Sequence, residues 1–181
     1  MAKKAIISML MTLFAFLAVA QSQSGGLIEG DKWAFLVSAP MGWIWDSKSL
    51  HWQGISGLFY KAGDTYSPTK LHIYICPSPK KADGPATLEE FIETDQTTFM
   101  KPNPGTLVRD LEPFSPGMEY SFVQKDFDDS NEGYYQSIAY YEGKDAYFVF
   151  VLSSRSAYER DRERSAFHEL LASFTYISKE K

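Results

Sequence analysis

Apolar and polar residues alternate with a period of two over much of the chain, which predicts β-strands. The first clear case is residues 32–39, where Trp33, Phe35 and Val37 share one side of the segment. Similar patterns predict strands at residues 43–45, 55–61, 71–76, 106–111, 119–127, 134–142 and 146–152. Because short turns separate the later strands, we expect these neighbours to be antiparallel.

Two segments change to a helical period. Thr87 and Glu90 have the spacing of a capping box, and the apolar residues that follow share one arc until the Pro-Asn-Pro-Gly sequence at 102–105. Ser156 and Glu159 repeat the capping pattern at the start of a last helix. The apolar stripe of that helix is Phe167, Leu170, Leu171 and Phe174. A short edge strand is predicted at residues 175–177.

The predicted hairpin of residues 134–152 is apolar on both faces. With Gly143 and Lys144 as its loop, one face carries Tyr135, Ala139, Tyr141, Phe148, Phe150 and Leu152, and the other carries Ile138, Tyr140, Tyr147, Val149 and Val151. Such a hairpin belongs in the middle of a sheet that is covered twice. We therefore expect an α+β fold in which helices cover both faces of an antiparallel sheet.

The amino terminus has the pattern of a secretory signal. Lys3 and Lys4 precede a mostly apolar run over residues 5–20, which as a helix would be roughly 24 Å long and too short for a ~30 Å membrane core. Ala18 and Ala20 are the small residues that a signal peptidase needs, so we expect cleavage after Ala20. The predicted organisation is a signal peptide at 1–20, a flexible mature N-terminus at 21–31 and a single α+β domain at 32–178. No membrane anchor is expected after cleavage.

Charge and cysteine content exclude some classes of function. The chain has 18 basic and 23 acidic residues and a net charge of −5, which disfavours nucleic acid as a partner. Cys76 is the single cysteine, so no internal disulfide can form. We expect Cys76 to be buried as a small hydrophobic residue.

The order of the predicted elements resembles the PsbP-like fold, including its DcrB-like periplasmic members. The resemblance spans roughly residues 33–177 and depends on Pro40, Gly42 and Trp43 after an aromatic strand, on the Thr87 helix and on the last apolar helix. It implies a PsbP-like α/β/α sandwich. It implies accessory, assembly or partner-binding work and carries no catalytic residues across to this chain.

Metal and cofactor motifs fit poorly. The segment from Asp126 to Glu132 places carboxylates at alternate positions, as calcium loops do, but Asn131 and Ser137 stand where an EF-hand needs glycine and glutamate. The interpretations left open are a solvated hairpin tip and a calcium loop. The three histidines, His51, His72 and His168, are too scattered for a zinc signature. We expect no metal and no cofactor.

Four positions are candidates for a ligand or partner surface. Trp43, Trp45 and Trp52 lie among turn residues and are expected either to pack in the core or to line a groove. Asp95 falls within the apolar arc of the first helix, where an unpaired carboxylate would be costly. It is expected either to border a cleft or to reach water at the rim of the arc.

The last helix begins with charges on its apolar side. Glu159, Arg160, Glu163 and Arg164 precede the apolar stripe on the same face, which predicts that the first turns lie outside the core. That end is expected to be solvated or to dock against a partner through ion pairs of mixed sign.

The functional expectation is a soluble exported protein of the bacterial periplasm or cell envelope. It would do binding or accessory work, with an unknown protein or small ligand as partner and no catalytic activity of its own. The alternative is a hydrolase or ligand-processing enzyme whose site is assembled from distant residues, with Asp95 and the histidines as its acids and bases.

Overall fold

A computed structural model describes residues 25–46, 54–68 and 70–179. These residues form ten strands and three helices. The strands are β1 (Gly25–Glu29), β2 (Trp33–Ser38), β3 (Trp43–Asp46), β4 (Gly57–Lys61), β5 (His72–Pro79), β6 (Leu107–Phe114), β7 (Phe122–Asp129), β8 (Tyr134–Glu142), β9 (Ala146–Ser154) and β10 (Thr175–Ser178). The helices are α1 (Leu88–Met100), α2 (Ala157–Arg162) and α3 (Arg164–Ser173). None of the described helices is long and apolar enough to span a membrane.

The strands form two antiparallel sheets. Seven strands form a large sheet in the order β3-β4-β5-β9-β8-β7-β6, and the other three form a small sheet in the order β1-β2-β10. In the β8–β9 hairpin Tyr140 pairs with Val149, so the loop is two residues longer than the predicted one. A shift of two residues leaves every side chain on its predicted face. The α+β class with antiparallel sheets is therefore confirmed.

Each face of the large sheet has its own hydrophobic cluster. The first cluster joins Phe148 and Phe150 of β9 to Phe35 of β2 and to Phe167 of α3. The second cluster joins the opposite face, including Tyr140, to Ile92 and its neighbours on α1. The expectation that helices cover both faces is met only in part, because the first face packs against the small sheet as well as α3.

Two predicted boundaries are wrong for reasons of strand pairing. Residues 25–29, assigned above to a flexible N-terminus, form β1 because they pair with β2 from Gly25–Ser38 to Glu29–Ala34. Strand β5 continues through Pro77 and Pro79, beyond the predicted end at residue 76. The Ile75 carbonyl points toward β4 and accepts from Ser56 N. Positions 77 and 79 follow Ile75 in steps of two, so the nitrogens of both prolines also point to the β4 side of the strand. Since β4 pairs with β5 no further than Ile75, no strand of the described residues needs the missing donors there.

The predicted N-cap hydroxyl bonds are confirmed at both helices, whereas Glu90 accepts from Ala86 N and not from the cap residue. Thr87 Oγ1 accepts from Glu90 N at 3.2 Å and Ser156 Oγ accepts from Glu159 N at 3.4 Å. The predicted last helix is split in two at Glu163, whose backbone (φ −94°, ψ 6°) leaves the helical region. On either side of this break, α2 contacts β8 and β9 of the large sheet, whereas α3 contacts β2 of the small sheet.

Candidate functional site

Of the two alternatives for the tryptophans, core packing fits the two that the structure describes. Trp43 is 5% exposed and belongs to the first core cluster, so its ring is a packing group. Trp45 is half-buried against that cluster, and its ring lies where a side chain on Gly26 would be, 2.1 Å from an ideal Cβ. Trp45 therefore links β3 to the small sheet. Trp52 lies outside the described residues, as does His51.

The side chain of Asp95 lies on the side of α1 that packs against the large sheet. Its Oδ2 accepts a hydrogen bond from the Tyr140 hydroxyl at 2.8 Å. Burial raises the pKa of Asp95 above its ordinary value, although the hydrogen bond from Tyr140 acts in the opposite direction. Burial, together with the negative charge of Asp95, also raises the pKa of the half-buried Cys76 thiol to about 12. Asp95 is thus a half-buried carboxyl with a hydroxyl partner, and the nearby thiol stays protonated and unreactive.

Replacing Asp95 with asparagine is expected to raise the free energy of unfolding at pH 7. Asparagine retains an oxygen for the Tyr140 hydroxyl but carries no charge to desolvate. Because the folded pKa lies above the ordinary 3.8, the stability contributed by Asp95 is complete below that value and is lost as the pH rises through the folded pKa. The gain should therefore shrink as the pH is lowered toward 3.8.

Urea unfolding at several pH values measures this difference. The control is Glu93→Gln, which removes a carboxyl from an exposed position of the same helix and should change the stability little. An Asp95→Asn protein that is less stable than wild type at pH 7 would contradict the assignment.

The acidic segment 126–132 divides into two separate structures. Asp126 and Asp128 lie in β7 on the face toward α2 and α3, where arginines contact both carboxylates. Asp129 faces the other way, and its Oδ1 accepts from the backbone of Asn131 and Glu132 at 3.1 Å each. The carboxylates therefore serve ion pairs and a turn, which is not a calcium-loop arrangement. Among the described residues no group of three or more acidic, histidine or cysteine side chains is placed to hold a metal ion.

Asp126 is the centre of a buried polar layer. It is 2% exposed and accepts from the Ser137 hydroxyl at 2.6 Å. Nη2 of Arg164 lies 3.0 Å from its Oδ2, with Nη2 of Arg109 at 3.3 Å and Nη2 of Arg160 at 3.4 Å. Hydrogen bonds from Ser137, from Arg109 and from both terminal nitrogens of Arg164 occupy its lone pairs, so Asp126 orients arginines and is not available as a general base.

Arg160 contradicts the expectation that the first turns of the last helix lie outside the core. It is fully buried, at 0% exposure. Its Nη1 binds Asp128, and its Nε donates to Asp161 at 3.0 Å. A guanidinium can be buried here because carboxylates from β7 and α2 surround it. Of the two alternatives given above for this end, solvation is wrong for Arg160.

Beside this layer a cleft of about 420 Å³ opens between the β6–β7 edge and helices α2 and α3. The residues that line it are Arg109, Leu111, Glu112, Gln124, Asp126, Asp161, Arg164 and His168. The side chain of Arg109 is 57% exposed, whereas that of Arg164 is 24% exposed. Arg109 is therefore the cation that an incoming group meets first.

His168 is held neutral at the inner wall of the cleft. Burial lowers its pKa below the ordinary value, and the positive charge of Arg164 adds to this effect. Its Nε2 is 3.0 Å from Gln124 Oε1, which assigns the donor hydrogen to Nε2, and its ring stacks on Phe114 at 4.2 Å. The His168 ring is therefore held in one orientation at the wall of the cleft.

The carboxyl of Asp161 at the cleft is held ionised. Burial alone would raise its pKa, but hydrogen bonds from Arg160 and Arg164 outweigh burial and hold the pKa of Asp161 below its ordinary value. Asp126, Asp161 and His168 are thus all engaged, while Arg109 remains the more exposed of the two arginines that line the cleft.

The structure gathers only part of what the sequence singled out. Asp126, Arg164 and His168 come together at the cleft, whereas Asp95 lies on the opposite face of the large sheet. Arg109 was missed because nothing in its own segment marks it. Arg109 could be recognised only from the pairing of the two strands, since Arg109 of β6 is directly opposite Asp126 of β7.

These elements define an α+β chain with a PsbP-like fold. It is similar to the solution structure of cyanobacterial PsbP (CyanoP) from Synechocystis sp. PCC 6803, with a TM-score of 0.56 and 14% identity over 89% of this chain and 96% of that chain. A weaker likeness, with a TM-score of 0.46 and 11% identity over 85% of this chain and 96% of that chain, is to the Ran-binding protein Mog1p of Saccharomyces cerevisiae. At these identities the likeness concerns the fold alone. No protein-family model matches the chain, and no curated protein matches its sequence.

Proposed function

We propose that this chain is an exported accessory protein of the bacterial periplasm or envelope that binds a partner through the Arg109 cleft and has no catalytic activity of its own. The observation that carries the proposal is the state of the cleft. Its buried carboxylate is saturated by donors, while the guanidinium of Arg109 faces solvent. A PsbP-like α/β/α sandwich is the architecture we propose to go with this role.

Export is supported by the sequence of the first twenty residues. The lysines at positions 3 and 4, the apolar run and the small residues Ala18 and Ala20 together favour a cleaved signal peptide. The described helices add no segment that could span a membrane.

The hydrolase alternative gains no support from the geometry of its candidate groups. Asp95 and His168 are on opposite faces of the large sheet and do not meet in one site. His72 Nδ1 lies 2.7 Å from the Lys70 carbonyl oxygen, and its ring stacks on Tyr74. Each of these groups is engaged in packing or a structural hydrogen bond.

The export half of the proposal is tested by expressing the full chain in a Gram-negative host. Osmotic shock should release the protein, and its intact mass should correspond to a chain that begins at Gln21. Ala20→Leu is expected to block processing, because the peptidase pocket takes only small residues. Recovery of the wild-type chain at full length in the cytosol would overturn the proposal.

The binding half is tested by capture from an envelope extract. Arg109→Gln should lose the captured partner, while Arg162→Gln should keep it. Arg162 is the matched control because its side chain is also 57% exposed. Capture of the same partner by both variants at equal yield would show that the cleft is not the binding site.

A further inference from the structure

Strand β6 is the outer edge of the large sheet among the described residues. It pairs with β7 on one side, from Leu107 opposite Asp128 to Phe114 opposite Phe122. Alternate backbone N–H and C=O groups of an edge strand point away from its partner, so β6 can accept a further strand. The bulge after Leu111 and Pro113 limit this open stretch to residues 107–111.

The side chains of this stretch alternate in a specific way. Leu107, Arg109 and Leu111 are two residues apart and so point to the same face, which is the face of the cleft. Leu107 is 69% exposed, a high value for a leucine on a strand. The edge therefore presents an apolar, cationic, apolar stripe.

The charge of the stripe comes from Arg109. Both of its ion pairs with described residues use Nη2, which leaves the N–H groups of Nε and Nη1 to donate to an incoming acceptor. Asp126, Asp128 and Asp161 behind it are shared among Arg160, Arg164 and Arg109, so the three arginines together balance the three aspartates. An acidic side chain entering the cleft thus meets the N–H groups of Nε and Nη1 that Arg109 still has to donate.

We infer that β6 binds an extended segment of a partner protein as an added strand, and that this segment alternates apolar, acidic and apolar residues. The acidic side chain would lie over Arg109, with the apolar ones over Leu107 and Leu111 as cross-strand pairs. The inference rests on the proposed binding function and specifies what the cleft recognises.

The test uses purified protein and two synthetic peptides, Thr-Val-Thr-Glu-Thr-Val-Thr and the same sequence with lysine in place of glutamate. Fluorescence anisotropy should give a Kd for the glutamate peptide about tenfold lower than for the lysine peptide, as expected for one charge-assisted hydrogen bond. Hydrogen exchange should show new amide protection within residues 107–111 when the glutamate peptide binds.

Variants separate the contributions of the stripe. Arg109→Gln should bring the two affinities to within about twofold, since a neutral amide gives up the charge assistance. Arg162→Gln should retain the preference. Leu107→Thr should weaken both peptides equally, because it removes apolar contact and no charge.

Several results would overturn the inference: no binding of either peptide at millimolar concentration, equal affinities in the wild-type protein, an unchanged preference in Arg109→Gln, or protection outside residues 107–111. The comparison of the two peptides on wild-type protein needs no variant to fold. Because the titration does not depend on where the chain resides, a cytosolic location would overturn the proposed export alone. A peptide that fails to bind would overturn this inference alone.

Discussion

Replacing Arg160 with methionine is expected to lower the free energy of unfolding by about 3–5 kcal/mol, the usual cost of removing one partner from a buried ion pair. Arg160 has no exposed surface and contacts three aspartates. Without it, Asp128 loses the guanidinium that donates to its Oδ1, and the 2%-exposed Asp126 loses one of its cations. Methionine fills a similar volume, so the loss comes from uncompensated charge.

Urea unfolding monitored by circular dichroism measures this effect, with Arg162→Met as the control. Arg162 lies two residues further along α2 with a side chain that is 57% exposed, and removing its surface ion pair should cost about 1 kcal/mol or less. If Arg160→Met were no more destabilised than Arg162→Met, the buried layer would not hold α2 against the sheet.

Replacing Phe174 with alanine is expected to cost about 3–5 kcal/mol, as for other buried aromatic residues. Phe174 follows α3 and is 2% exposed. Its ring centroid lies 5.2–5.9 Å from those of Phe35, Tyr120, Phe122, Tyr141, Phe148 and Phe150. The cavity would open where the small sheet, α3 and the large sheet meet, so they should loosen together.

Thermal unfolding followed in the near and far ultraviolet tests this prediction. Tyr158→Ala removes an aromatic ring that is 75% exposed and should change the melting temperature little. If the Phe174→Ala protein had the same melting temperature as the wild type, the core would not be organised around this ring.

Most elements of the fold could be predicted from local pattern. Strand β8 has the predicted limits of 134–142, and α1 begins after the predicted cap at Thr87. Both are segments in which period and capping agree with the final packing. Strand β1 could not be found in the same way, since Gly25 and Gly26 have low strand propensity and extend only because β2 pairs with them.

The candidate site was harder to predict because its residues are joined by tertiary contacts. Ion pairs connect Arg109 and Asp126 across two strands, and Arg160 and Arg164 reach them from helices that come later in the chain. A charged residue on the apolar side of a predicted helix is interpreted as solvent-exposed unless the buried residue of opposite charge that pairs with it is known. For Trp43 the neighbouring turn residues left both core packing and a groove open, and its ring packs in the first core cluster.

The small sheet places a condition on the order of folding. Strand β2 is bordered by β1 next to it in sequence and by β10 near the other end of the described chain, and the Ser38 amide donates to Ser173 Oγ across a sequence separation of 135 residues. A nascent chain cannot close this sheet until its last residues have emerged, because a contact of such long range needs both segments present. In a polypeptide that passes through a translocation pore, the small sheet would therefore stay unformed, and the chain incompletely folded, until its last residues had passed.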